Sequence, residues 1–299
     1  MNIDTETLLC AVIGNPVGHS LSPAIHNAAF EAIRANGVYL AFCVSDVSAC
    51  LQGMRAFPNF RGLSVTIPHK EAVMPCLDDI DPLARHVGCV NTITHRNGRL
   101  TGTSTDGLGT LRAFEEAGVD LTGRRILFTG AGGAVRSVAF AMAERARPAK
   151  ITLLGRSVER LSALVQDLRA GTPTTIEAGT LSSDVEKAVR EHDVIVQGTP
   201  VGMHGHDEGR SCIPPESLRA EQVVFDMVYR PLKTRLIEDA EATGCTTIWG
   251  AEMLVNQAAL QFEAWMEMDA PRAVMREALL AALGGPANLR GENGEKERT

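Results

Sequence analysis

The amino-acid sequence predicts an α/β protein built around a doubly wound parallel sheet. Three observations predict it. From about Asp106 onward, apolar strand-like runs alternate strictly with helical ones, as parallel strands joined by crossover helices require. A glycine-rich turn, Gly130, Gly132 and Gly133, separates one such run from the next helix. The first third has another rhythm, short strands mixed with helices and a hairpin, so the 299 residues suit about two domains.

Taken in order, "LLCAVIGNP" from Leu8 reads as a strand ending in a turn. "SPAIHNAAFEAIRANG" reads as a helix that Ser22 caps, Pro23 starts and Gly37 closes. "LAFCVSD" is a strand and "VSACLQGMRAF" a helix, and "FRGLSVTIPHK" is a strand that Pro68 stops. Asp81 as cap, Pro82 in the first turn and Gly88 as stop define the helix in "DIDPLARHVG". "CVNTITHRNGRLTGTS" is a hairpin turning at Asn97-Gly98. "DGLGTLRAFEEAG" is a helix ended by Gly118, with Asp106 at its cap. Two strand–turn–helix units follow, from Arg124 and from Lys150, then the strands "DVIVQGTP" and "EQVVFDMVY". After "TTIWG" come two helical stretches, and the polar end from 286 to 299 reads as a frayed tail.

Composition narrows the function. A net charge of −7 argues against a nucleic acid or an anionic membrane as partner and leaves a small molecule. No apolar run is long enough to span a bilayer, and "MNIDTETLLC" puts acids where a signal peptide carries positive charge, so the cytoplasm is expected. The seven scattered cysteines contain no C-x-x-C pair and read as reduced thiols. "GMHGHDEG" at 202–209 groups His204, His206 and Asp207 without a further ligand at typical spacing, so it reads as a loop over a cofactor and no metal is expected.

The glycine turn opens a helix whose N-terminal amides can approach a pyrophosphate, the plan of a Rossmann dinucleotide site. Val135 holds the third glycine position of the usual G-x-G-x-x-G, so the pattern is incomplete. The end of the next strand carries Arg156, Ser157 and Arg160 where an NAD site usually places an acid. Two guanidiniums one helical turn apart suit a 2′-phosphate, which points to NADP; the other reading is a solvated helix face.

In the first domain, Ser20 and Ser22 are two residues apart beside a helix start. In an extended segment both hydroxyls aim the same way, which makes either a capped turn or a seat for a small anion. Lys70 follows a strand, Asn91 lies in the hairpin and Asp106 begins the helix into the second domain. Oxidising a carbinol by hydride transfer needs a group that takes the hydroxyl proton. A lysine whose pKa is lowered in a partly dry cleft can do so, with a carboxylate to hold it, and Lys70 and Asp106 are the candidate pair.

Together "GNPVGHSLSPAIHN", "SVTIPHK", "GCVNTI", "TDG", "GAGGA", "DMVY" and "GAEMLVNQA" resemble the shikimate dehydrogenase family over residues 12–265. The resemblance implies NADP-dependent interconversion of shikimate and 3-dehydroshikimate, in aromatic amino acid biosynthesis by the chorismate pathway. It implies an N-terminal α/β substrate domain of residues 1–106 and 249–285, completed by C-terminal helices, and a Rossmann domain of residues 107–248. Position by position, Ser20 and Ser22 would bind the shikimate carboxylate, and Thr66, Asn91, Tyr229 and Gln257 would line the substrate. Lys70 would be the acid/base with Asp106 as partner. Gly130, Ala131, Gly132, Gly133, Ala134, Arg156, Ser157, Arg160, Met227 and Gly250 would contact NADP. The chain departs from the family at Gly155, Ser64, Ser104 and Gln197, each standing where Asn is common. Quinate- or aminoshikimate-oxidising relatives are the alternative, and Ser22 favours shikimate because the quinate branch tends to Thr there. A ligand-sensing regulator on the same fold is a second alternative, against which Lys70 and Asp106 speak. A monomer or a homodimer is expected.

Overall fold

The computed structural model describes residues 3–284, and the stretch expected as a frayed tail lies outside the described residues. The first sheet has the order β2-β1-β3-β5-β6-β4 and is mixed. Its strands are β1 (Leu8–Gly14), β2 (Gly37–Cys43), β3 (Phe60–Val65), β4 (Asp79–Ile80), β5 (Thr92–Arg96) and β6 (Arg99–Thr103). β1 pairs in parallel with β2 and β3, whereas β5 runs antiparallel to β3 and β6. The hairpin turns where expected, because Asn97 and Gly98 both take positive φ, 50° and 78°.

Helices α1 (Ser22–Ala32), α2 (Val47–Arg55) and α3 (Pro82–Val87) accompany this sheet. Asp46 and Asp81 cap α2 and α3 by accepting from the amides of Ala49 and Ala84, and Gly88 ends α3 at φ 75°. α1 departs from expectation at both ends. Leu21 occupies the cap position, and Ser22 is already helical because the Ser20 hydroxyl takes the Ser22 amide at 3.3 Å. Gly37 does not close the helix; the chain turns at Arg34, φ 54°, and Gly37 instead begins β2, where the Phe30 ring would lie 2.8 Å from an added Cβ. β3 likewise stops at Val65, before Pro68.

The second sheet is wholly parallel, in the order β12-β11-β10-β7-β8-β9. Its strands are β7 (Arg125–Thr129), β8 (Lys150–Gly155), β9 (Thr175–Thr180), β10 (Val194–Gln197), β11 (Val223–Asp226) and β12 (Thr246–Trp249). Numbered within the sheet this is 3-2-1-4-5-6, so the strand order reverses between β7 and β10. Crossover helices are α5 (Gly133–Arg145), α6 (Val158–Gly171), α7 (Leu181–Glu191) and α8 (Arg235–Thr243). β9, α7 and α8 escape the sequence because "TIEAGT" exposes most of its side chains and the two helices are short and polar.

Three helices remain, α4 (Thr105–Glu116) and α9 (Gly250–Met266), which join the halves, and α10 (Arg272–Ala282), which packs on α1 and α9. The last two bury Val255, Phe262, Trp265, Met275 and Leu279 against Cys10, Val12 and Phe30 of the first sheet's layer. The Trp265 indole donates to Ile93 O at 3.0 Å, and any Cβ on Gly62 would collide with it at 2.0 Å. Arg112 of α4 grips both oxygens of Glu263 on α9, at 2.8 and 2.9 Å. No helix among the described residues is long and apolar enough to cross a membrane.

Candidate active site

Between the two sheets lies a cleft of about 260 Å³. Ser20, Ser22, Thr66, Lys70, Asn91, Asp106, Tyr229 and Gln257 all line it, together with Ala134 and Met227 from the second sheet's half and Gly250 at the start of α9. Residues from seven separate stretches of sequence thus converge. The register explains part of this. Thr129, Gln197, Asp226 and Trp249 stand in one row across β7, β10, β11 and β12, so Gly130, Gly198, Met227 and Gly250 leave the sheet at one level.

Lys70 and Asp106 meet at 2.6 Å, Nζ to Oδ2, with side chains 28 % and 11 % exposed. Asp106 is not the cap of α4. Ser104 holds that position without capping, and Asn91 Oδ1 instead takes the Thr105 amide at 2.8 Å. Asp106 is therefore left in the first turn, free to face the cleft, where Asn91 Nδ2 donates to its Oδ1 at 2.7 Å. Burial pulls the Lys70 ammonium down, but the charge and hydrogen bond of Asp106 outweigh it, and the group stands above its ordinary value. The expected lowered lysine is thus reversed. In this geometry Lys70 is a proton donor at neutral pH and becomes an acceptor only in alkali.

Other cleft residues are held by backbone contacts. Thr66 donates its amide to Ile13 O, and a Cβ on Gly14 would strike its methyl at 2.5 Å. Gln257 anchors its amide on Leu254 O at 3.1 Å. Tyr229 is exposed, at 36 %.

The remaining glycine-turn residues and the two arginines lie along the C-terminal edge of the second sheet, outside the cleft proper. Gly130 takes φ 103°, a conformation that favours glycine, and an added Cβ there would also lie 2.9 Å from Gly198 O. An added Cβ on Gly132 or Gly133 would meet nothing within 4 Å, so space stands open at the N-terminus of α5. Val135 fills the position of the missing third glycine, and the close approach moves to Gly198, whose Cβ would lie 2.2 Å from Val135 Cγ2. Ser157 caps α6 by accepting from the Arg160 amide at 3.4 Å. Arg156 and Arg160 are exposed and form no ion pair among the described residues. Open space before a helix, flanked by two uncommitted guanidiniums, fits a dinucleotide with a 2′-phosphate.

Gln197 knits the turn after β10, accepting from Thr129 Oγ1 and the Thr199 amide and donating to Thr199 O and Val201 O. In the loop beyond, His204 is engaged with Glu208 at 2.8 Å.

Sequence reasoning missed His19 and Gln261, both in the cleft wall, and treated Ser64 only as a departure. Gln261 was legible in principle. It lies four residues after Gln257, hence on the same face of α9.

A model of the shikimate dehydrogenase substrate-binding domain matches residues 12–93, and one of the shikimate 5'-dehydrogenase C-terminal domain matches residues 250–280. The shikimate dehydrogenase (NADP(+)) of Moorella thermoacetica is 43 % identical over 96 % of this chain and 99 % of its own. Among solved structures, shikimate 5-dehydrogenase of Listeria monocytogenes, in complex with shikimate and NAD, is 36 % identical with a TM-score of 0.88, covering 93 % of this chain and 98 % of its own. That of Thermus thermophilus, in complex with NADP(H) and shikimate, is also 36 % identical, with a TM-score of 0.81 over 92 % and 100 %.

Proposed function

The chain belongs to the shikimate dehydrogenase family, and from that premise we propose that it interconverts shikimate and 3-dehydroshikimate with NADP, a step of aromatic amino acid biosynthesis. The observation that carries the reading is the Lys70–Asp106 pair, 2.6 Å apart in a cleft that also holds Ser20 and Ser22 at the approach to α1.

NADP, when bound, supplies or takes the hydride; Gly130 to Ala134, Met227 and Gly250 would hold its diphosphate and nicotinamide ends, and Arg156, Ser157 and Arg160 its phosphorylated ribose. The chain's own residues do the rest. Ser20 and Ser22 hold the substrate carboxylate beside the N-terminus of α1, whose partial positive charge favours an anion. Thr66, Asn91, Gln257 and Tyr229 fix the ring. In the reducing direction the Lys70 ammonium gives its proton to the carbonyl oxygen as the carbon gains hydride. The amine left behind regains a proton from water over its exposed face. In oxidation the neutral amine takes the hydroxyl proton. Asp106 keeps Nζ within reach of that one oxygen in both directions. On this reading residues 1–106 and 249–285 serve the substrate and residues 107–248 the cofactor.

The test is absorbance at the reduced-nicotinamide band with shikimate or quinate, each offered NADP or NAD. Turnover of shikimate with NADP supports the proposal. A clear preference for quinate, or ligand binding without turnover, overturns it.

A further inference from the structure

Beneath the cleft a series of side chains, buried up to its last member, runs from the first sheet to the catalytic carboxylate. The Tyr39 hydroxyl on β2 donates to Ser64 Oγ at 2.6 Å, and Ser64 donates to Gln261 Oε1 at 2.7 Å. Gln261 Nε2 donates to Thr92 Oγ1 at 3.0 Å and also to Asn91 O at 3.2 Å. Thr92 donates to Asn91 Oδ1 at 2.8 Å, and Asn91 Nδ2 donates to Asp106 Oδ1 at 2.7 Å. Lys70 closes the series on the other oxygen, Oδ2.

The direction of every bond follows from its end. An ionised carboxylate only accepts, so Asn91 must turn its amide nitrogen to Asp106 and its oxygen to Thr92. Thr92 must then donate to that oxygen and accept from Gln261. This turns the Gln261 oxygen to Ser64, which must donate, and Tyr39 supplies the first proton. Burial pushes the Tyr39 phenol up, so it stays a donor at any working pH. His26 stacks on Tyr39 at 4.3 Å and stands beside Gln261, where burial pushes its imidazole down to about 3 and keeps it neutral, and the Tyr39 hydroxyl goes to Ser64 and not to His26. Five donors aligned in one sense polarise one another toward a negative charge.

We propose that Gln261 is the positioning residue of the Lys70–Asp106 pair: from α9 it orients Asn91 and Thr92, and through them passes the donor chain of Tyr39 and Ser64 to the Asp106 carboxylate. Gln261 is the joint of this chain because it alone turns an accepted bond into two donated ones. It also ties α9, late in the sequence, to the Asp106 carboxylate on α4. The other titratable groups near the pair are Cys89, and His19 and Tyr229 in the cleft wall. None of them lies in the chain, so a change at Gln261 reaches Lys70 by way of Asp106. The inference deepens the dehydrogenase reading and rests on it for the chemistry, but not for the charge relationship.

The test uses Gln261→Met, which keeps an unbranched side chain of similar length and removes both donors, and Tyr39→Phe, which removes only the first donor. The titration of Lys70 is followed by NMR of protein carrying 13C-labelled lysine, with Lys70→Met to assign the signal. Its midpoint should fall by about one unit in Gln261→Met and by less in Tyr39→Phe. In the same variants kcat for shikimate should drop roughly tenfold and less than that, respectively, with KM nearly constant. A Lys70 midpoint equal to the parent's in both variants overturns the inference, whatever happens to kcat. If the parent itself does not oxidise shikimate, the functional proposal fails, while the titration still decides whether Gln261 governs the pair. Should Gln261→Met not fold, Tyr39→Phe alone gives the sign.

Discussion

Gly109 of α4 and Gln257 of α9 stand so close that a Cβ on Gly109 would lie 2.5 Å from the Gln257 backbone nitrogen. On the other side of α4, a Cβ on Gly107 would lie 2.4 Å from Ser137 O of α5. α4 is thus wedged between a helix of each half, and its first turn carries Asp106. Gly109→Ala should push α9 away, costing about 1–3 kcal/mol as overpacking does. It should also lower kcat/KM more than roughly tenfold, because small misplacements of reacting groups are costly. Thermal melts and steady-state rates check both; parental values for each would mean that the crossing has slack.

Lys70→Ala removes the proposed proton donor and leaves the carboxylate its bond from Asn91. Turnover should fall by about 10²–10⁴ while shikimate binding, measured by calorimetry, changes only a few-fold. Undiminished turnover would remove Lys70 from the reaction.

Because Asp106 holds Lys70 above the ordinary lysine pKa, the neutral amine is scarce at neutral pH. Oxidation of the alcohol should therefore accelerate with pH without levelling off below about 10, and reduction of the ketone should hold steady across the same range. The same pair bears on stability. A lysine with a raised folded pKa contributes fully below its unfolded value, and loses that contribution only as pH rises through the folded one. An oxidation profile flat in pH would show that no proton passes through this group.

The sequence disclosed what local patterning encodes. Asp81, Pro82 and Gly88 marked their helix correctly because a cap, a first-turn proline and a left-handed stop act within a few residues. The strictly alternating second half likewise announced a parallel sheet. Misreadings arose where a distant group overrode a local one. Ser22 lost the cap position because Ser20 took its amide, and Asp106 lost its own because Asn91, just before β5, accepts the Thr105 amide at the start of α4. The direction of the Lys70 shift required knowing that a carboxylate lies at 2.6 Å. Gln261 escaped notice because its partners, Ser64 and Thr92, are 197 and 169 residues away.

Arg156 and Arg160 follow β8 with no acidic partner among the described residues. Replacing both by Ala should raise KM for NADP at least tenfold, since each guanidinium–phosphate contact contributes a charge-assisted bond. KM for NAD should hardly move, because NAD has no phosphate for them to grip. Equal losses with both cofactors would place the arginines elsewhere than on the 2′-phosphate.

Asp226 ends β11 with 1 % of its surface exposed, accepting from Thr234 Oγ1 at 2.6 Å and from the Val228 amide at 3.0 Å. Burial pushes its carboxyl up from 3.8 to about 6, although the two hydrogen bonds oppose the shift. Between those values the folded protein keeps a proton that the unfolded chain has released. Stability therefore falls as pH rises through this window, by on the order of 3 kcal/mol, and the loss is complete above it. Asp226→Asn keeps the shape and cannot ionise. Its melting temperature relative to the parent's should climb as pH is raised from about 4 to about 7, by roughly 5 °C or more. A difference that stays constant over that range would mean the carboxyl ionises as readily in the folded protein as in the unfolded chain.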